Sequence, residues 1–294
     1  MPDWMDGTDI AFPNLGIYLH NVPKMIGPIA MYGLIIGIGV ILAFMLVSKL
    51  AEKDGLDPDD FYEGGLFVLI IGIIGARLYY VAFSWDSYKN DLLSILNIRQ
   101  GGLAIYGGVI AGIVTIIVYA KIKKKNMFHM LDVGIFGALV GQIIGRWGNF
   151  TNREVFGGYS DGLFAMRLPI EAVRQRDITP ELWAHVAEGT NYIQVHPTFL
   201  YEGACNLVLM CLMLLLRKKK AFDGEVCLWY LGGYGLIRFI IEGIRTDRLL
   251  IPGTNLAVSQ CLSLGLLAFA LVVITVGRIR KGKNITKPIS SEEE

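Results

Sequence analysis

Seven apolar runs, separated by short polar segments, dominate the pattern of this chain. They cover residues 28–50, 64–84, 101–120, 131–149, 198–216, 225–243 and 255–277. Each run has about 20 residues, the length at which an α-helix crosses a ~30 Å hydrocarbon layer. A helix also satisfies its own backbone hydrogen bonds in lipid, where no water is available. The pattern therefore predicts an all-α polytopic membrane protein with seven transmembrane helices, rather than a soluble helical protein.

Lysine and arginine are concentrated on one side of the predicted helices. Compact clusters follow the third, fifth and seventh runs: KIKKK at 121–125, RKKK at 217–220 and RIRKGKNITK at 278–287. Short basic loops of membrane proteins stay in the cytoplasm. We therefore expect the N-terminus to lie outside and the C-terminus to be cytoplasmic. The net charge of the whole chain is only +1, and we expect no nucleic-acid partner.

The same pattern divides the chain into five predicted parts. An extracytoplasmic segment at 1–27 precedes helices 1–4 at 28–149, and helices 5–7 at 198–277 precede a cytoplasmic tail at 278–294. Between the two membrane parts, residues 150–197 carry turn signals such as Gly-Gly, Asp-Gly and Thr-Pro, which indicate a small extracytoplasmic cap. This cap is too short for a soluble catalytic domain, so any chemistry is expected largely in the membrane part.

The cysteines give no sign of a metal or redox site. Cys205, Cys211, Cys227 and Cys261 all fall in predicted spans, without CxxC or metal-ligand spacing. Buried cysteines of this kind usually act as small apolar packing residues. We expect no metal.

Charged residues inside the spans are costly, at about 2.5–3.5 kcal/mol each near a helix centre, so they indicate function. The sixth run ends in GLIRFIIEGIRTDR, with Arg238, Glu242 and Arg245 on one helix face. An internal ion pair at a helix end would explain part of this pattern. Two arginines against one glutamate leave a surplus positive charge, however, and the planar guanidinium suits a phosphate ligand.

Other polar residues are predicted at the same outer level of the membrane. The stretch GRWGNFTNREVFGG at 145–158 ends the fourth run, and HPTFLYE at 196–202 opens the fifth. With residues of the first three spans, the set comprises Tyr32, Arg77, Tyr106, Arg146, Asn149, Asn152, Arg153, Glu154, His196, Tyr201 and Glu202. Their common depth predicts a cavity for an anionic lipid head group in the outer leaflet.

Three classes of protein fit such a cavity. A lipid-modifying enzyme and a transporter or channel for anionic lipids or small anions both use buried arginines. Transporter sites lie near the membrane midplane on broken helices, which fits the outer level less well. The third class is a receptor or assembly subunit with a purely structural ion-pair cluster.

Several motifs resemble those of the prolipoprotein diacylglyceryl transferases. The stretch GRWGNFTNREVFG at 145–157 is similar to the long signature of that family. HPTFLYE at 196–202, the R-xxx-E-xx-R pattern at 238–245, GGLAIYGG at 101–108 and MYG at 31–33 resemble further blocks, in the family's order. The long signature is specific, whereas MYG alone carries no weight.

The resemblance implies a fold, an activity and a set of site residues. Family members move the diacylglyceryl group of phosphatidylglycerol onto the lipobox cysteine thiol of a prolipoprotein signal peptide, release glycerol 1-phosphate and use no cofactor. They lie in the bacterial cytoplasmic (inner) membrane, with the active site facing the outer leaflet. Arg146 and Arg238 are then catalytic and hold the phosphate. The implied phosphatidylglycerol contacts also include Tyr32, Gly108, Asn149, Asn152, His196, Tyr201, Glu202, Glu242 and Arg245.

One position departs from the family pattern and leaves the general base open. Where some members have histidine in the GGxxxHGG block, this chain has Tyr106, and a tyrosine with a pKa of ~10 is a poor base. Tyr106 either positions substrate or takes part in catalysis after a strong pKa change. Glu154, Glu202 and His196 are the other candidates for the base.

Overall fold

The computed structural model describes residues 8–98, 101–254 and 256–285. The predicted N-terminal segment and cytoplasmic tail extend beyond these limits, so residues 1–7 and 286–294 of those parts lie outside the described residues. The chain forms two compact units. The first comprises Met1–Ala43 and Ala138–Glu294, and the second comprises Phe44–Gly137.

The helices follow the apolar runs. In chain order they are α1 (Met31–Lys53), α2 (Pro58–Phe83), α3 (Ile105–Ile122), α4 (Met127–Asn152), α5 (Pro180–Ala184), α6 (Thr198–Leu216), α7 (Glu225–Ile244) and α8 (Val258–Ile285). Seven of these described helices, all except α5, are long and apolar enough to cross a membrane. Large apolar side chains such as Ile41, Ile113 and Leu271 remain more than half exposed. The predicted helical, multi-pass membrane protein is confirmed.

The first unit also contains a small sheet that the sequence analysis did not predict. Its strands are β1 (Thr8–Phe12), β2 (Ile17–His20), β5 (Met166–Pro169) and β6 (Tyr192–Val195), in the antiparallel order β2-β1-β5-β6. A separate hairpin of β3 (Met25–Ile26) and β4 (Ile29–Ala30) leads into α1. The N-terminal segment and the segment after α4 were expected as separate parts, but the pairing of Ala11 with Arg167 joins them.

The sheet is the centre of a folded cap, a name used below for residues 8–22 and 153–197. Alternate residues of β5 and β6 are buried, including Leu168 and Ile193, because successive side chains of a strand point to opposite faces. They form one hydrophobic core with Phe156 and with Phe199 in the first turn of α6. The core of the cap therefore fixes the segment after α4 and the start of α6 together.

The second unit is built on close packing of α2 against α3. A Cβ atom on Gly107 would lie 2.4 Å from the carbonyl oxygen of Gly75, so only glycine permits this backbone approach. The Asp57 side chain caps α2 by accepting a hydrogen bond of 3.0 Å from the Asp59 amide. This N-terminal capping bond of Asp57 explains why α2 begins at Pro58.

Arg77 in α2 has a structural environment rather than a ligand-binding one. Its five N–H positions donate to carbonyl oxygens, at 2.8–3.2 Å: those of Ser94, Ile95, Asn97, Gly101 and Gly102. A guanidinium has five donors, so every one of them serves the segment that follows α2. The expectation that Arg77 contributes to a ligand cavity is therefore corrected, because no donor is left for a ligand.

Candidate active site

The centre of the polar cluster in the first unit is the carboxylate of Glu202, which is fully buried. One of its oxygens, Oε1, accepts a hydrogen bond from Nη2 of Arg146 on α4. The other, Oε2, lies 3.3 Å from Nη1 of Arg238 on α7. Glu202 itself lies near the start of α6, one turn after Thr198. One carboxylate thus joins the cap-side ends of three helices and fixes both arginines that the sequence analysis selected.

A second carboxylate, Glu242, supports Arg238 from its own helix. Oε2 of Glu242 lies 2.5 Å from Nη2 of Arg238, the i,i+4 pair that the sequence predicted. Ser259 in the first turn of α8 donates from Oγ to Oε1 of Glu242 at 2.5 Å. Arg245 lies farther from the same carboxylate, with 3.8 Å between Nη1 and Oε2.

Arg245 has its closest partner outside the predicted set. Its Nε and Nη2 donate to the two oxygens of Asp247 at 2.9 and 2.8 Å, a two-point pairing that suits guanidinium and carboxylate. Burial alone would raise the pKa of Asp247, but the hydrogen bonds and the charge of Arg245 outweigh it and hold that pKa below its ordinary value. The pattern along α7 grouped Arg245 with Arg238 and Glu242 on one helix face, and it did not indicate Asp247 as a partner.

The surplus of positive charge inferred from α7 is not present in the folded cluster. Arg146, Arg238, Arg245 and Arg174 are matched by Glu202, Glu242, Asp247 and Glu154. The inference was wrong for two reasons: it left out Asp247, two residues after Arg245, and Glu202 reaches Arg238 from another helix. An anionic ligand at this cluster would therefore meet oriented N–H donors rather than a net positive charge.

The signature stretch at the end of α4 orients Glu154. Nδ2 of Asn149 and Nδ2 of Asn152 donate to Glu154 Oε1 at 3.1 and 3.3 Å. Arg174 of the cap donates from Nη2 to Oε2 at 2.6 Å. All three partners are donors, which matches a carboxylate that only accepts. The two asparagines, expected as head-group contacts, thus hold a carboxylate in this arrangement.

The backbone on either side of Glu154 is strained. Arg153 has φ 56° and Val155 has φ 59°, in the left-handed region that a β-branched residue such as valine rarely adopts. The Thr198 hydroxyl donates to the Val155 carbonyl. Buried Arg153 donates to the carbonyls of Thr151 and Val22 at 2.9 and 2.8 Å. Arg153 therefore ties the signature to the N-terminal part of the cap, and these bonds hold the strained backbone on either side of Glu154 in place.

Gly157 lies where three backbone segments meet. Its amide donates to the His196 carbonyl at 2.9 Å, and the next amide, of Gly158, donates to the Ile244 carbonyl at 2.9 Å. A Cβ atom on Gly157 would lie 2.8 Å from both the Ile244 oxygen and the His196 Cβ. These contacts fix the signature against the start of α6 and the end of α7.

Three aromatic or imidazole residues of the predicted set also lie in the first unit. The Tyr32 ring packs over Gly148, since a Cβ there would meet its Cδ2 at 2.6 Å. The Nδ1 atom of His196 lies 3.3 Å from the Tyr201 hydroxyl. Burial lowers the pKa of His196, which favours the neutral imidazole.

Tyr106 and Gly108 belong to the second unit. Tyr106 is 44% exposed in the first turn of α3. Gly108 faces α2, where an added Cβ atom would lie 3.3 Å from the Gly72 carbonyl oxygen. Helix packing accounts for the glycine, and the roles predicted for both residues stay predictions.

No group of three or more His, Cys, Asp or Glu side chains in the described part of the chain could hold a metal ion. The chemistry that the first unit offers comes from fixed guanidinium donors beside oriented carboxylates. Such a group suits the binding of a phosphate ester and the stabilisation of negative charge that develops on it.

Comparison with known proteins agrees with this chemistry. The family model for prolipoprotein diacylglyceryl transferase matches residues 22–276 of the chain. The chain belongs to this family. The match includes every residue of the first-unit cluster described above.

Three curated relatives carry the name phosphatidylglycerol–prolipoprotein diacylglyceryl transferase. The protein of Bacillus cytotoxicus is 40% identical over 253 residues, 85% of this chain and 88% of the relative. Those of Bacillus cereus and Bacillus anthracis are each 39% identical over 264 residues, 88% of this chain and 93% of the relative. The family resemblance drawn from the motifs is thus confirmed over most of the chain.

Proposed function

We propose that this chain transfers the diacylglyceryl group of phosphatidylglycerol to the lipobox cysteine thiol of a prolipoprotein, the first step of lipoprotein maturation. The observation that carries the proposal is the buried Glu202, which holds Arg146 and Arg238 at the cap-side ends of two different helices. Family membership supports the same reaction. Contacts with described residues occupy only part of each guanidinium, and the remaining N–H directions are available to a phosphate.

The substrate thiolate forms the new bond in this reaction. Its sulfur attacks the glycerol carbon that carries the phosphate ester, a C–S bond forms, and the C–O bond breaks. The electron pair of that bond goes to the departing oxygen, so the released glycerol 1-phosphate gains one negative charge. Arg146 and Arg238 stabilise this charge. Donors fixed before the reaction, in a site of low dielectric, contribute most.

The thiol proton passes to Glu154 in this scheme. A thiol with a pKa of ~8.5 is only a few per cent thiolate at neutral pH, so a proton acceptor speeds the attack. Both oxygens of Glu202 already bind arginines, which makes it a positioning residue. Arg174, the partner of Glu154, is 57% exposed and can move away to free one oxygen. His196 contacts or positions substrate in this scheme, and a role in positioning substrate stays the sequence-based prediction for Tyr106.

We also propose the membrane in which the protein lies and its orientation there. The basic clusters support an inner-membrane orientation with the C-terminus in the cytoplasm. The cap and the cluster beneath it then face the outer leaflet, where the substrate thiol and the lipid head group meet. The predicted membrane parts, 28–149 and 198–277, carry Arg146, Glu202 and Arg238, whereas Glu154 and His196 belong to the cap.

A transfer assay with purified protein tests the proposal. The protein is mixed with phosphatidylglycerol and a lipobox peptide, and a peptide with Cys→Ser at the acceptor position is the control. The expected result is a mass gain of one diacylglyceryl unit on the cysteine peptide alone, with release of glycerol 1-phosphate. If folded protein gives no such gain with any anionic lipid, the transferase proposal is wrong, and lipid or anion flux becomes the next measurement.

A further inference from the structure

A second layer of polar side chains lies deeper in the helices of the first unit. Gln142 stands four residues before Arg146 on α4, Asn206 four residues after Glu202 on α6, and Tyr230 eight residues before Arg238 on α7. Because α4 and α7 run toward the cap and α6 runs away from it, all three lie on the far side of the arginines from the cap. Four residues of helix correspond to about 6 Å along the axis, so the layer begins one turn below the cluster.

This layer contains polar atoms whose hydrogen-bonding capacity is unused. Nε2 of Gln142 donates to the Tyr230 hydroxyl at 2.7 Å. Within the described residues, however, Oε1 of Gln142 and both Nδ2 and Oδ1 of Asn206 are buried without a hydrogen-bond partner. The Asn206 side chain is completely enclosed, at 0% exposure. A buried amide without a partner is unfavourable, whereas an apolar residue of the same shape carries no such penalty.

Structural packing alone does not explain Asn206. A buried polar residue with only a structural role finds a local partner, as Thr115 does on α3, where its hydroxyl donates to the Ala111 carbonyl at 2.7 Å. Asn206 stands in a helix of apolar residues, one turn from the most buried carboxylate of the cluster, and makes no such bond. Its amide is therefore suited to a partner that arrives with the substrate.

The chemistry of the lipid identifies that partner. In a glycerophospholipid, the carbon that carries the phosphate is followed by two carbons that carry the fatty-acyl esters. When the phosphate lies at Arg146 and Arg238, those esters lie deeper in the membrane, at the level of the second layer. Their carbonyl oxygens are hydrogen-bond acceptors, which need donors such as an amide N–H or a phenol O–H.

We propose that Asn206 and Tyr230 form a subsite for the ester carbonyls of the diacylglyceryl group, an inference that rests on the proposed function. The Asn206 Nδ2 donates to one ester carbonyl after a side-chain rotation that the incoming lipid drives. Tyr230 donates its hydroxyl proton, since its oxygen already accepts from Gln142. Gln142 is a positioning residue that fixes the direction of that hydroxyl. The subsite selects lipids with acyl esters over lipids without them.

A comparison of two lipid substrates tests this subsite. Phosphatidylglycerol with two ester-linked chains is compared with its dialkyl ether analogue, which lacks the carbonyls but keeps the bond that breaks. We expect the wild-type protein to prefer the ester lipid by roughly 3- to 10-fold in kcat/KM, the range of one or two neutral hydrogen bonds. Asn206→Leu should lower the rate with the ester lipid toward the rate with the ether lipid, because one of the two donors is lost. Thr115→Val, a buried hydroxyl of the second unit, should leave the preference intact.

Three outcomes would overturn the subsite while leaving transfer itself established. These are a wild-type protein that does not distinguish the two lipids, an Asn206→Leu variant that slows both equally, and one that slows neither. If Asn206→Leu does not fold, Tyr230→Phe is the deciding variant, because it removes only the hydroxyl and should reduce the same preference. An unchanged preference in that variant would overturn the subsite. Absence of transfer with both lipids in the wild-type protein would instead count against the proposed function.

Discussion

Glu202 on α6 and Arg238 on α7 form an ion pair of 3.3 Å at a position where the carboxylate has no exposed surface. The other oxygen of the same carboxylate binds Arg146 of α4. Removing one member of a buried ion pair leaves its partners charged without compensation, which typically costs about 3–5 kcal/mol. Glu202 therefore determines both the stability of the helix junction and the direction of the two arginines.

Replacing Glu202 by glutamine should damage folding and transfer together. The amide keeps one acceptor oxygen but turns an N–H₂ group toward the second arginine, so one guanidinium loses its partner. We expect a lower melting temperature and a loss of transfer rate of about 10²-fold or more, since misdirected donors no longer meet the developing charge. Thermal unfolding in detergent and initial transfer rates measure the two effects.

Glu188→Gln is the matched control, because it neutralises an exposed carboxylate of the cap. It should change neither the melting temperature nor the rate. A Glu202→Gln variant with wild-type values for both quantities would show that the carboxylate is dispensable.

Arg146 and Arg238 should require the guanidinium group and not only a positive charge. Lysine keeps the charge but loses the planar fork that binds a carboxylate and a phosphate at the same time. We expect Arg146→Lys and Arg238→Lys to lower kcat by about 10²- to 10³-fold, and the alanine variants to abolish transfer in protein that still folds. Arg176→Lys, at a side chain that is 78% exposed, is the control. Near-normal activity of either alanine variant would exclude that arginine from the reaction.

The neighbouring glycines of the signature should respond differently to the same substitution. A Cβ atom on Gly157 would lie 2.8 Å from the Ile244 carbonyl oxygen, whereas one on Gly158 would meet no atom within 4 Å. Gly157→Ala should therefore push apart the three backbone segments that meet there and reduce both stability and activity. Gly158→Ala should change the free energy of unfolding by less than about 0.5 kcal/mol. Equal behaviour of the two variants, measured by thermal unfolding and transfer rate, would contradict the close approach at Gly157.

The helices were predictable because seven long apolar runs are a signal that each segment carries by itself. The sheet was not, since its strands have only four or five residues and the pairing of Ala11 with Arg167 joins distant parts of the chain. Two short strands in separate segments give no local pattern that indicates their partner. Tertiary structure alone supplies that information.

The same limit applies to the candidate site. The i,i+4 spacing predicted the pair of Arg238 with Glu242, which is observed. The bond from Arg146 to Glu202 joins residues that are 56 positions apart. The charge of Arg245 is balanced nearby, by Asp247, whereas the contact of Arg238 with Glu202 is known only from the fold. Arg77 shows the converse, because its depth in a span suggested a ligand, while its donors serve a neighbouring loop. The sequence therefore indicates which residues belong to the site more reliably than which of these residues contact one another.

The stability of the first unit should depend on the protonation of His196. Burial lowers its pKa in the folded protein below the ordinary value of 6.5. Above about pH 6.5 the imidazole is neutral in both the folded and unfolded states, and its contribution to stability is complete. As the pH falls through that value toward the folded-state pKa, the unfolded chain binds a proton that the folded chain resists, so this contribution is lost.

The melting temperature difference between wild-type protein and His196→Gln should therefore shrink between pH 7.5 and pH 5.5. Tyr201→Phe removes the hydroxyl 3.3 Å from Nδ1 and should keep the pH dependence, because burial is its cause. A difference that stays constant with pH would mean that His196 titrates alike in both states.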